Sequence, residues 1–146
     1  AEHFRRCIEL APEFHYAYNS LAGVLNLLGK PAEAVEQYEQ ALKVKPDYIE
    51  AHNNFAWLLA THADASVRDG AKAIEHAETA CKATGGRNPG YLVTLAAACA
   101  ETGRFDEARD AAGRALRLYD AAGDRASTNA VRRHIVLYQA GKPLRQ

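Results

Sequence analysis

Cysteine is scarce, and the little there is excludes whole classes of chemistry. Cys7, Cys81 and Cys99 are the only three in 146 residues, and no two form a CxxC pair. Neither a zinc knuckle nor a thioredoxin-type centre is available. Three is also an odd number, which speaks against a secreted disulfide scaffold. No apolar run approaches the ~20 residues of a membrane span, and the first residues carry no signal-peptide core. Charge of one sign is missing too. Eighteen Lys and Arg balance eighteen Asp and Glu, which argues against a strongly basic nucleic-acid binder and an acidic tail. Val, Ile and Thr total 17, whereas Ala alone reaches 30. That balance favours helices and counts against an all-β fold.

What is present is a repeat. The stretch from Pro12 through Phe14, Ala17, Asn19 and Leu21 to Ala22 lines up with Pro46, Tyr48, Ala51, Asn53, Phe55 and Ala56, 34 residues further on. Leu28-Gly29-Lys30 with Glu33-Ala34 matches Thr102-Gly103-Arg104 with Glu107-Ala108 at an offset of 74. Two periods leave six residues over, and the positions of Ala34, Ala73 and Ala108 put five of them before Ala73. Repeats of this length stack into solenoids, because one helix pair cannot bury its apolar face alone.

The pattern resembles the tetratricopeptide repeat family, in which each unit is a helix A, a tight turn and a helix B. Tyr18, Leu21, Ala22, Leu25, Gly29, Ala34, Tyr38, Ala41 and Pro46 occupy its signature slots in one repeat. Leu92, Leu95, Ala96, Gly103, Ala108, Ala112 and Ala115 do so in another, where Cys99 and Asp120 depart from it. The resemblance implies an all-α solenoid, a right-handed superhelix of helix-turn-helix repeats, over the single domain 1–146. It divides into a half-repeat at 1–14, repeats at 15–48, 49–88 and 89–122, and a capping helix with tail at 123–146.

Elementary helix chemistry leads the same way. Leu21, Val24, Leu25 and Leu28 form an apolar stripe at helical spacing. Gly29 suits a left-handed helix end, and Pro31 the first position of the next helix. The stretched turn of the third segment should bulge from His62 to Gly70 without disturbing the helix after it. Val131, Ile135 and Tyr138 make one stripe of a last helix, with Arg132, Arg133 and Gln139 opposite, as a soluble cap requires. At the other end Phe4, Cys7 and Ile8 fill helix-B slots with no preceding helix A. Weak self-association through Phe4 and Ile8 is the expectation.

Catalytic signatures are missing: there is no glycine-rich phosphate loop, no GxSxG elbow and no HExxH. His3 and Cys7 have metal-pair spacing, but two ligands are too few and Cys7 sits in a packing slot. His62, Asp64 and Asp69 share the stretched loop, where polar residues are ordinarily just solvated. The reading is no enzyme, no cofactor, no metal and no small-molecule substrate. Residues 123–146 carry a net charge of +4, yet no aromatic stacking platform accompanies it, so a nucleic-acid partner is not expected.

A protein or peptide partner is what the resemblance implies, bound on the concave face that helices A line. The residues there are Tyr16, Asn19 and Asn26, then Glu50, Asn53, Asn54 and Trp57, then Val93 and Glu101. Asparagine offers both a donor and an acceptor to a peptide backbone. Asn19 and Asn53 equally suit bonds between neighbouring helices. Trp57, the only tryptophan, suits either a hot spot or packing between repeats. A carboxylate clamp of the chaperone type is not expected, because among its slots, here Asn19, Gly23, Asn54, Gly90 and Thr94, only Asn54 agrees. The alternative function is a non-catalytic regulatory or substrate-recruiting segment of a larger enzyme of the bacterial, membrane-associated kind.

Overall fold

The computed structural model describes residues 1–146 and contains eight α-helices and no strand. They are α1 (Glu2–Leu10), α2 (His15–Leu27), α3 (Pro31–Val44), α4 (Ile49–Thr61), α5 (Gly70–Ala83), α6 (Pro89–Glu101), α7 (Phe105–Ala121) and α8 (Arg125–Gln139). The helices form two compact units, Ala1–Phe55 and Ala56–Gln146, and α4 contributes residues to both.

In the first unit α2 and α3 form a helical hairpin. Its turn is dictated by Gly29, whose φ is +73°. The Gly29 N–H donates to the Asn26 carbonyl at 3.0 Å, and the Lys30 N–H to Leu25 at 2.9 Å. This paired closure satisfies two carbonyls that the helix end would leave bare. Pro31 then occupies the first turn of α3, where a missing N–H costs nothing. The hairpin core consists of Leu21, Ala22 and Leu25 from α2 with Ala34, Tyr38 and Ala41 from α3, all buried. Ala22, Ala34 and Ala41 are fully shielded, and their small side chains let the two helices approach closely. The stripe expected from sequence is shorter than its spacing suggested. Leu28 is 61% exposed, because the chain leaves the helix there to enter the Gly29 turn.

The second unit packs α5, α6, α7 and α8 in succession. Its main cluster joins Ala96, Cys99, Ala100, Ala108, Ala111 and Ala112 with Val131 and Tyr138. Three of these helices, α5, α6 and α8, start at a side-chain cap. Asp69 accepts from the Lys72 N–H, Asn88 from Tyr91 and Asp124 from Ser127, the ordinary use of Asp and Asn at helix beginnings. Residues 62–69 lie outside both helices, and Gly70, expected inside the bulge, instead opens α5 because Asp69 caps the helix there. On α8, Val131 and Tyr138 are buried while Arg132, Arg133 and Gln139 face solvent, which is the polarity of a cap.

Candidate functional site

In the first unit the asparagines meet tyrosine in one polar cluster. Asn19 is only 5% exposed. Its Oδ1 accepts from Asn54 Nδ2 at 3.3 Å, and its own Nδ2 donates to the Tyr48 hydroxyl at 3.5 Å. Asn53 Nδ2 donates to Asn54 Oδ1 at 3.4 Å. The Tyr48 hydroxyl donates to Glu50 at 3.4 Å, and the His15 ring meets the Tyr48 ring edge-on at 4.7 Å. Burial, with the neighbouring Glu50 charge, pushes the Tyr48 phenol up to about 12. Asn53 Oδ1 is buried and has no hydrogen-bond partner. Tyr16 and Glu50 are exposed and Asn26 is half-buried. Four of the nine residues singled out from sequence, Asn19, Glu50, Asn53 and Asn54, therefore belong to one network. Tyr48, which joins it through its hydroxyl, was legible only as a filler of an aromatic slot.

At the N-terminal helix, Phe4, Cys7 and Ile8 are half-buried and α1 contains no buried residue. His3 Nε2 lies 3.8 Å from the Cys7 sulfur.

In the second unit Trp57 is half-buried, so its ring is partly accessible. Val93 packs against the main core cluster. Glu101 is an ion-pair hub. Its side chain is 14% exposed and meets Arg68 Nε at 2.9 Å and Arg145 Nη1 at 2.6 Å. Arg68 also donates to the carbonyls of His62 and Ala63, both at 2.8 Å. The 62–69 loop is thus tied to the end of α6 by one guanidinium. Nothing in the sequence paired these three residues, because their partnership spans tens of positions and has no motif.

The same loop shows what its polar residues do. Asp64 accepts from the N–H and hydroxyl of Ser66 at 2.9 and 2.8 Å, and these bonds hold its carboxyl below the usual range. His62 Nδ1 accepts from the Asp64 N–H, and Asp69 caps α5. Each side chain serves its own turn, and the three do not converge. The protein has no group of three or more His, Cys, Asp or Glu placed to hold a metal. A shallow concavity between α5 and α7 is lined by Glu78, Cys99, Glu107 and Arg114. Burial pushes the Cys99 thiol up, and the Cys81 thiol to about 11. Neither is poised as a thiolate nucleophile. No helix is long and apolar enough to cross a membrane.

Residues 24–60 match the family model of the tetratricopeptide repeat. No curated protein matches the sequence. Among solved structures the chain is similar to that of PilW, a widely conserved type IV pilus biogenesis factor, with a TM-score of 0.68 and 19% identity. The match covers 94% of this chain and 66% of PilW, so this chain spans just under two thirds of that protein's length. The helical hairpins and the matched segment show a fold of the tetratricopeptide-repeat type, with one repeat recognised in the sequence itself. The all-α repeat fold that the sequence implied is the fold observed.

Proposed function

We propose that the chain is a non-catalytic interaction module that takes an extended peptide or protein segment along its helix-A residues. The observation that carries this reading is the asparagine network of the first unit. Asn19, Asn53 and Asn54 sit together, and the Asn53 Oδ1 acceptor lacks a partner inside the protein. A buried acceptor left unpaired costs about 1–3 kcal/mol. Asn53 and Asn54 are themselves only half-buried, so part of each amide side chain stays open to an extended backbone, and peptide recognition is the use that best fits that chemistry. Exposed Tyr16 on α2 and Glu50 on α4, with half-buried Asn26 further along α2, would supply flanking contacts in that unit. In the second unit half-buried Trp57 is the helix-A residue offered to a partner, while Val93 is engaged with the core cluster. Glu101 already serves two arginines there, so a partner reaching it must compete with them. The likeness to PilW, a pilus biogenesis factor, fits a role in assembly.

A peptide array probed with the intact chain tests the reading. Extended peptides should be captured, and Asn53→Ala and Asn54→Ala should each weaken capture by roughly tenfold, the loss of about one good hydrogen bond. Capture indifferent to both substitutions, with helicity unchanged by circular dichroism, would remove the asparagine face from the proposal. Weak self-association through Phe4 and Ile8 belongs to the same reading. Sedimentation of the chain at rising concentration should show it, and replacement of Phe4 and Ile8 by Ser should abolish it.

A further inference from the structure

The segment after α8 does not run off into solvent. Gly141, with φ +68°, turns the chain out of the helix. Leu144 then packs against the core cluster that includes Ala96, Cys99, Val131 and Tyr138. Arg145 pairs with Glu101 at 2.6 Å. The Gln146 N–H donates to the Thr61 carbonyl at 2.9 Å, and Gln146 Nε2 donates to Thr61 Oγ1 at 2.8 Å. Thr61 is the last residue of α4 and Glu101 the last of α6. A short extended strap therefore crosses the C-terminal ends of two helices, both of the helix-A type.

We propose that this strap, residues 142–146, is a displaceable internal ligand. It occupies a peptide-accepting groove of the second unit and holds it shut against outside segments. The proposal rests on the reading of the chain as a peptide-binding module and adds a site, a ligand chemistry and a means of regulation. The groove itself states what it accepts. The carbonyl of Thr61 ends a helix and needs a donor, which any extended backbone supplies at one position. Glu101 is a largely buried carboxylate that carries one guanidinium from Arg68 and takes a second from the strap, so it selects a cation. The core cluster beside it accepts an apolar side chain one residue before that cation, where Leu144 stands. The outside ligand is accordingly an extended segment with a large apolar residue followed by Arg or Lys.

Displacement is credible because so little holds the strap. Beyond the Lys142 N–H bond to the Leu137 carbonyl at its root, it depends on one apolar contact, one ion pair with an arginine that is 35% exposed, and two hydrogen bonds from Gln146. Every one of those contacts is reproduced by an equivalent external segment. A closed strap lowers the apparent affinity for an outside segment by the fraction of molecules in which it is open.

Fluorescence anisotropy with a labelled peptide of sequence Gly-Lys-Pro-Leu-Arg-Gln tests this on the full chain. The unaltered chain should bind weakly, and chains with Arg145→Glu or Leu144→Ser should bind roughly tenfold more tightly, because their straps are released. A peptide with Glu in place of Arg should not bind the released chains. Hydrogen exchange at the Gln146 amide should be slowed in the unaltered chain and fast in both variants. Equal binding by unaltered and released chains, or no binding by a released chain that keeps its helicity and melting temperature, overturns the proposal. Should Arg145→Glu unfold the unit, Leu144→Ser and the exchange of Gln146 in the unaltered chain still decide it. Failure here with Asn53- and Asn54-dependent capture intact removes the strap alone. Loss of that capture leaves the strap measurement standing.

Discussion

Asn54 and Asn19, 35 positions apart, share a hydrogen bond of 3.3 Å from Nδ2 to Oδ1. It lies in the same cluster as the Asn19–Tyr48 bond, and Asn19 is almost wholly buried. A buried amide is stabilising only while its partners remain. Asn19→Ala should therefore destabilise the protein by about 1–3 kcal/mol, since it strands the Asn54 amide and removes the donor to the Tyr48 hydroxyl, which keeps Glu50 as its acceptor. Urea unfolding followed by circular dichroism measures this. Asn26→Ala, at a half-buried position of the same helix, should stay within about 0.5 kcal/mol. Equal effects at the two positions would deny the network any energetic role.

Buried phenols set the alkaline limit of stability. Burial pushes Tyr38 up to about 12, as it does Tyr48, and raises Tyr138 further. In the unfolded chain these groups titrate near 10.0. Below that pH both states keep the proton and the full stability is present. As pH rises from 10 toward 12 the unfolded state loses protons first, so folding free energy falls across that window. Tyrosinate absorbance at 295 nm should rise together with loss of helicity. Tyr138 adds a sharper test, because its hydroxyl is buried without a partner. Tyr138→Phe should be neutral or stabilising by up to about 1 kcal/mol at pH 7 and should flatten the alkaline decline. Destabilisation by more than that would mean the hydroxyl has a role that its surroundings do not show.

The helices, the Gly29 turn, the loop after Thr61 and the polarity of α8 were legible because each follows from local rules. Apolar periodicity, a left-handed glycine, a proline at a helix start and an inserted segment are all written in neighbouring residues. Asn19, Asn53 and Asn54 were legible as helix-A residues for the same reason. Their mutual bonding was left open, since spacing alone does not say whether an amide faces a neighbour or a ligand. Glu101 with Arg68 and Arg145, and Gln146 with Thr61, were not legible at all. Those pairs lie 33, 44 and 85 positions apart and depend on how the chain returns after α8, which no periodicity encodes. Leu28 misled because a stripe drawn at helical spacing runs past the point where the helix stops.

Two glycines should fail for different reasons. A side chain added at Gly29 meets nothing within 4 Å, but the residue has φ +73°. Gly29→Ala should therefore cost about 1–2 kcal/mol of backbone strain, and Gly29→Asn less, because Asn tolerates that region. Gly70 has no such backbone demand, yet a Cβ there would lie 2.6 Å from Thr102 Cγ2. Gly70→Ala should cost about 1–3 kcal/mol through overpacking. The cycle with Thr102→Ser separates the two causes. Removing that methyl should restore much of the loss at Gly70 and nothing at Gly29. Additivity at Gly70 would refute the steric account.

Arg68 is the residue on which the 62–69 loop depends. Its side chain is 16% exposed, and its guanidinium spans Glu101 and two loop carbonyls and so ties that loop to α6. Lysine carries the same charge but lacks the planar fork that reaches several acceptors at once. Arg68→Lys should keep the attraction to Glu101 and lose the carbonyl bonds, at about 1–2 kcal/mol. Arg68→Ala should lose both, at about 2–4 kcal/mol, because Glu101 is then left with Arg145 alone. Thermal unfolding gives the stabilities, and hydrogen exchange locates the change. Amides from His62 to Asp69 should exchange faster in both variants, while amides of α2 and α3 should not change. The Asp69 N–H bonds to the Leu59 carbonyl at 3.0 Å, so it should be the last of the loop amides to give way. A loop that exchanges at the same rate with Arg, Lys or Ala at position 68 would show that its shape comes from the Asp64–Ser66 turn and the Asp69 cap instead.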